Sequence, residues 1–262
     1  MSTPDSGPSP DELPMLAPCR ELSPTAALGW LKLGWQDIKR APRQSLSYGL
    51  LMVVLSYLIS AAAWVWGNLG LYLGLVSGFV FIGPWLAMTL YAISLRLECG
   101  ETPTLQRSLA DAAQSIGSTL VFAVILVVVL LVWARAANTM YIFFPQTANP
   151  SWQDLAWFLG LGSMVGALFC LVIFAASAFS LPMLMERRAD AVTAVITSVN
   201  AVLRNKRAMA LWALIIVSTV LIGILTAWLA FIVVLPLIGH ATWHAYRETI
   251  DAGQWPLIDR TA

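Results

Sequence analysis

From Gln44 to Leu95 the chain carries no Asp, Glu, Lys or Arg, and the same holds from Ala208 to Tyr246. As one helix the first run would be about 78 Å long at 1.5 Å rise per residue, against a hydrocarbon core of roughly 30 Å. It has to fold back, and Gly67-Asn68-Leu69-Gly70 is the place that favours a turn. Two spans are expected there, near Leu46 to Trp66 and Leu71 to Leu95. Only 11% of the 262 residues are charged and 59% are hydrophobic, where a soluble domain has about a quarter charged. Lipid is the expected solvent for such a chain.

A third span is expected from about Ser118 to Ala136 and a fourth from Leu155 to Ser180, with Pro145 and Pro150 breaking the loop between them. The stretch from Ala208 to Tyr246 reads either as one overlong helix or as two short helices turning near Gly223 to Ala227. With six spans and both termini inside, every one of the 15 Lys and Arg residues except Arg135 faces the cytoplasm. Trp64, Trp66, Trp133, Trp152 and Trp157 fall near outer span ends, and Trp228 joins them only if the chain turns there. Both signals favour six spans.

An amphipathic segment precedes each hairpin. The first opens at Ser23-Pro24 and aligns Leu28, Leu31, Trp35 and Ile38; the second opens at Thr102-Pro103 ahead of Leu105, Leu109, Ala112 and Ile116. In the third, Asp190 caps a helix with Val192, Val195, Ile196, Val199, Val202 and Leu203 at helical spacing. Basic residues at Lys39 to Arg43 and Arg204 to Arg207 would face lipid phosphates. The second helix of each hairpin carries a proline, Pro84, Pro182 or Pro236, that removes a backbone hydrogen bond and kinks it. The expected fold is thus an all-α, polytopic transmembrane bundle of six spans in three hairpins, each preceded by a cytoplasmic interfacial helix. The pattern suggests a diverged triplication. Residues 1–22 read as a disordered proline-rich cytoplasmic tail, 23–250 as the membrane domain and 251–262 as a short cytoplasmic tail.

Three strings stand out along this pattern: Gly83-Pro84, Phe179-Ser180-Leu181-Pro182-Met183-Leu184 followed by Arg187-Arg188-Ala189-Asp190-Ala191-Val192, and Gly239-His240-Ala241-Thr242-Trp243-His244-Ala245-Tyr246-Arg247. Together they resemble a family of bacterial predicted integral membrane proteins, the domain of unknown function 2189, over roughly Ala26 to Ile250. The resemblance implies a bacterial cytoplasmic (inner) membrane and brings no activity or site residue with it.

The residues themselves offer few sites. His240 and His244, four residues apart on one helix face, could ligate a metal, with Met183 or Met185 as completing donors; the competing reading has them at the membrane interface, bonded to headgroups and neighbouring groups, and a third has them handling protons. Gly70, Gly74 and Gly78, and again Gly162 and Gly166, are spaced for close helix packing. Arg135 and the Arg187, Arg188 and Asp190 group could dock a headgroup or partner. Cys19, Cys99 and Cys170 are too scattered for a disulfide framework or a zinc site. No carboxylate falls inside a span, so an enzyme is not expected, nor is a bound cofactor. The expected partners are membrane lipids and a membrane protein or second copy, not nucleic acid. A non-catalytic accessory, assembly or membrane-organising role leads, with transport of a neutral or lipidic substrate as the alternative.

Overall fold

The computed structural model describes residues 14–66, 84, 86–143 and 151–258. Among these residues the chain is helical throughout, with no strand beyond two isolated bridges. The helices are α1 (Ala26–Arg40), α2 (Pro42–Trp66), α3 (86–98), α4 (Leu105–Gln114), α5 (Ile116–Met140), α6 (Trp152–Ser177), α7 (Ser180–Glu186), α8 (Ala191–Arg204), α9 (Lys206–Leu225) and α10 (Phe231–Thr249). Among the described residues four stretches are long and apolar enough to cross a membrane: Pro42–Ala62, Ile116–Met140, Trp152–Glu186 and Lys206–Leu225. They correspond to the first, third, fourth and fifth expected spans. The turn at 67–70, most of the second span, and Gly70, Gly74 and Gly78 lie outside the described residues.

The sequence left the final stretch open between one helix and two, and it forms two. α9 ends in a Schellman motif: the Trp228 N–H reaches the Gly223 carbonyl at 2.7 Å and the Ala227 N–H reaches that of Ile224 at 3.1 Å. Ala227 and Trp228 have φ of 47° and 70°, the left-handed conformation that such a motif usually assigns to glycine. Ala227→Gly should therefore stabilise the hairpin by about 0.5–1 kcal/mol, read as a raised unfolding midpoint in detergent. α10 is not among the four membrane-length apolar helices; its second half carries His240, His244, Arg247 and Glu248.

The three amphipathic helices form, and each meets its span across a single residue: Ala41 between α1 and α2, Ser115 between α4 and α5, and Asn205 between α8 and α9. In all three the carbonyl of that residue accepts the first bond of the span, from Ser45, Thr119 and Met209. The apolar face of α8 is turned outward. On α8 Val192, Ile196 and Leu203 are 40–58% exposed, whereas Thr193, Thr197, Ser198 and Ala201 are buried. A helix that buries its small polar side and exposes its branched apolar side is oriented for lipid rather than water. On α1 Leu28 and Trp35 likewise face out, but Ile38 is buried. α1 starts at Ala26 without a side-chain cap, later than Ser23-Pro24 suggested, while Thr104 and Asp190 cap α4 and α8.

α8 lies on α6 and α7, and α1 lies on α10. The kink prolines serve this packing. Pro182 sits in the first turn of α7, where its missing N–H has no helical acceptor to satisfy. At the break ahead of it, the Ser198 hydroxyl of α8 donates to the Ala175 carbonyl at 2.7 Å and accepts from the Phe179 N–H at 3.1 Å, inserting itself into the ladder. Pro236, inside α10, frees the Ile232 carbonyl, and Gly49 of α2 packs directly against that carbonyl. Gly34 of α1 makes a second close approach: a Cβ there would lie 2.8 Å from the Ala241 nitrogen. Pro84 is buried and helical.

Both expected tails are partly anchored, which corrects the disordered 1–22 assignment from Pro14 onward. The Ala17 N–H bonds to Thr197 Oγ1 at 3.1 Å, Arg20 to the Thr249 carbonyl at 2.8 Å and Leu22 to Asn205 Oδ1 at 2.8 Å. At the other end Trp255 is 2% exposed, and the Ile258 N–H reaches the Glu186 carbonyl at 3.0 Å. Extended backbone on either side of Pro18 and Pro256 finds acceptors on α7, α8 and α10, which composition could not indicate. The apolar core, with Trp30, Trp212, Trp243 and Tyr246 at its centre, gathers at this end of the bundle.

Candidate functional site

The polar groups of the bundle converge at the base of α10. His240 is fully buried; its Nδ1 lies 2.7 Å from Ser94 Oγ on α3 and its Nε2 2.9 Å from Ser45 Oγ on α2. Ser94 donates its hydroxyl to Asp37 Oδ2 on α1 at 2.7 Å, and the same oxygen lies 2.8 Å from His244 Nε2. The chain continues outward, with His244 Nδ1 3.7 Å and Arg247 Nε 3.4 Å from Glu98, which is 31% exposed. One turn below, the buried Glu186 carboxylate accepts from Tyr246 at 2.6 Å, Arg247 at 2.8 Å and Arg187 at 3.0 Å. Arg187 also donates to the Trp255 carbonyl at 2.9 Å, and Arg247 stacks 5.9 Å over Trp243. Arg96 at the end of α3 holds Asp111 of α4 in a two-pronged pair at 2.7 and 3.0 Å. That hydrogen bond, partly opposed by desolvation, raises the affinity of Arg96 for its proton.

Proton counting fixes part of the chemistry. Ser94 has one hydroxyl hydrogen, given to Asp37, so it accepts from His240 and Nδ1 carries a proton. Ser45 also has one hydrogen, and its oxygen lies 2.9 Å from both the Ala41 carbonyl and His240 Nε2. With the ring neutral, that hydrogen serves one acceptor or the other. Ser45 and His240 are each 0% exposed, so the hydroxyl–imidazole pair has no open face toward a substrate.

His240 and His244 therefore share a face, as their spacing required, and both address the Asp37–Ser94 pair. Among the described residues no group of three or more His, Cys, Asp and Glu side chains could hold a metal ion. Met183 and Met185 are buried in the apolar core. A Cβ at Gly162 or Gly166 would meet no described atom within 4 Å, so the described chain supplies no packing partner for either glycine. Arg135 is exposed at the far end of α5. Sequence reasoning missed Asp37, Ser45, Ser94, Glu98 and Glu186. One signal was available for the first: Asp37 precedes the junction residue Ala41 by the same interval as Asp111 precedes Ser115.

Residues 71–186 match the family model described as a predicted integral membrane protein, the domain of unknown function 2189. The chain is an integral membrane protein, as the resemblance implied. The matched stretch is narrower than Ala26 to Ile250: it includes Ser94, Glu98 and Glu186 and stops before α8, so the two histidines and Asp37 lie outside it. No curated protein and no solved structure matches the chain.

Asp190 illustrates how the α8 boundary depends on charge. Burial opposes its ionisation, but hydrogen bonds from Thr193 and Val192 outweigh this and hold its carboxyl below the usual value. A carboxylate with a depressed folded-state pKa stabilises above its unfolded value and loses that contribution as pH falls through the folded one. Asp190→Ala should cost about 0.5–2 kcal/mol at neutral pH. The gap between wild type and variant should close on acidification below about pH 4, followed by thermal unfolding across pH.

Proposed function

We propose that the chain is a non-catalytic membrane component, an accessory or assembly subunit of a larger complex, with six spans as three hairpins and both termini in the cytoplasm of a bacterial cell. The observation that carries this reading is α6. Beyond its first turn it is apolar all round, none of its 26 residues is buried, and a Cβ at Gly162 or Gly166, both half-buried, would meet no described atom within 4 Å. An apolar helix with small residues at that spacing suits close approach by another membrane helix. The closure of the polar cluster on itself supports a structural rather than catalytic use of its histidines.

The test is purification of the full chain from its source membrane in mild detergent, with quantitative mass spectrometry. A stoichiometric membrane partner is expected, with recovery reduced at least tenfold by Gly162→Leu with Gly166→Leu. Isolation of the chain alone would sink the reading. Transport of a neutral or lipidic substrate is the second reading, favoured by an open, mainly apolar groove of about 730 Å³ lined by Phe143, Trp157, Phe158, Leu161 and Met164, with Asp154 as its one charged residue. Substrate-dependent flux from the purified chain in liposomes would bring it forward.

A further inference from the structure

We propose that the junction of α8 and α9 holds the phosphate of an anionic phospholipid. A groove of about 530 Å³ opens there, between Leu203 to Ala208 on one side and Glu21, Leu22 and Pro24 on the other. Arg204, Lys206 and Arg207 are exposed around it, and among the described residues none of them makes an ion pair. Against these three cations stands one exposed carboxylate, Glu21.

The backbone adds to the charge. Asn205 occupies the cap position of α9 and is of the residue type that caps well. Its side-chain oxygen is diverted to the Leu22 N–H at 2.8 Å, and its amide nitrogen donates to the Arg20 and Ala201 carbonyls. No side-chain cap bond reaches the first turn of α9. That turn is left with donors and the positive end of a 20-residue helix facing the groove region. A phosphate oxygen is a natural acceptor for such a site.

The surroundings select a lipid over a free anion. Ile196 and Leu203 on α8, and Leu214 and Val217 on α9, are 40–62% exposed, so hydrocarbon can lie on both helices that carry the cations. The junction of an outward-facing amphipathic helix with a membrane-length helix places the groove at headgroup depth. The other basic cluster differs: Lys39 is already stacked 5.9 Å over Trp35, at the C-terminal end of α1.

The experiment is native mass spectrometry of the delipidated full chain titrated with phosphatidylglycerol or phosphatidylcholine of the same acyl chains. Phosphatidylglycerol should bind at least tenfold more tightly. R204Q/K206Q/R207Q should bring the two lipids within twofold of each other, whereas K39Q/R40Q/R43Q should leave the preference unchanged. No preference in the wild type, survival of the preference in the first variant, or equal loss in both would overturn the proposal. Displacement of phosphatidylglycerol by millimolar inorganic phosphate would assign the groove to a free anion and overturn it as well. A measurement on the wild type needs no variant to fold: raising salt from about 0.05 to 0.5 M should weaken the preference several-fold, and an unaffected preference would count against a charge-held headgroup.

Discussion

Asp37→Ala should be among the most destabilising single substitutions in the chain. Asp37 is 3% exposed, and one of its oxygens serves both Ser94 at 2.7 Å and His244 at 2.8 Å. Removing it leaves two donors between α1, α3 and α10, the fully buried Ser94 and the part-buried His244, at about 1–3 kcal/mol for each that stays unsatisfied. Ser94 has an escape, because it can turn its hydrogen toward His240 Nδ1 if the imidazole adopts its other tautomer. His244 has none of this kind beyond Glu98, 3.7 Å away on its other nitrogen. The expected loss is about 2–5 kcal/mol, measured by thermal or denaturant unfolding of the full chain in detergent. Asp37→Asn separates shape from charge: the amide oxygen can still accept from Ser94, so a neutral network predicts recovery of at least half the loss. If the asparagine is as damaging as the alanine, the cluster needs the charge of the carboxylate and not only its shape. A loss below about 0.5 kcal/mol for the alanine, the range of ordinary surface changes, would show that the cluster does not hold the bundle together.

Gly49→Leu is expected to prevent α2 from seating on α10. A Cβ at Gly49 would overlap the carbonyl, carbonyl carbon and Cα of Ile232, all backbone atoms that no rotamer change can move aside. Gly49→Ala alone should cost about 1–3 kcal/mol or more, as overpacking does in well-packed interiors. The leucine variant should fail to give a monodisperse folded species. Gly29 on α1 supplies the control, since nothing lies within 4 Å of the same position there. Gly29→Ala should be neutral or stabilise by about 0.5–1 kcal/mol through helix propensity. Size-exclusion profiles and unfolding midpoints of the three variants decide the matter; a well-folded Gly49→Leu chain would mean that the two helices are not in backbone contact.

These two positions mark where the sequence was readable and where it was not. Gly49 lies in the first charge-free run, but its interval to the other glycines forms no ladder, and its partner, the Ile232 carbonyl, is exposed for contact only because Pro236 lies one turn further along α10. The glycines that did form regular ladders are either outside the described residues or, at Gly162 and Gly166, half-buried with no described atom within 4 Å of an added Cβ. Asp37 was hidden for a related reason. Its partners Ser94 and His244 are remote in the chain, and a lone carboxylate on an amphipathic helix ordinarily faces water.

Local chemistry was legible: the charge-free runs, the three amphipathic helices and the membrane itself follow from solvation and helical period, which act residue by residue. The tertiary structure alone decided which side of each interfacial helix faces the protein, that the terminal segments are strapped to α7, α8 and α10, and that the histidines meet Asp37 and Ser94 rather than headgroups. The physical reason is that in lipid the apolar face no longer marks the inside. Helices are then sorted by small residues, backbone approach and scattered polar bonds, and those depend on partners that no local pattern in the chain names.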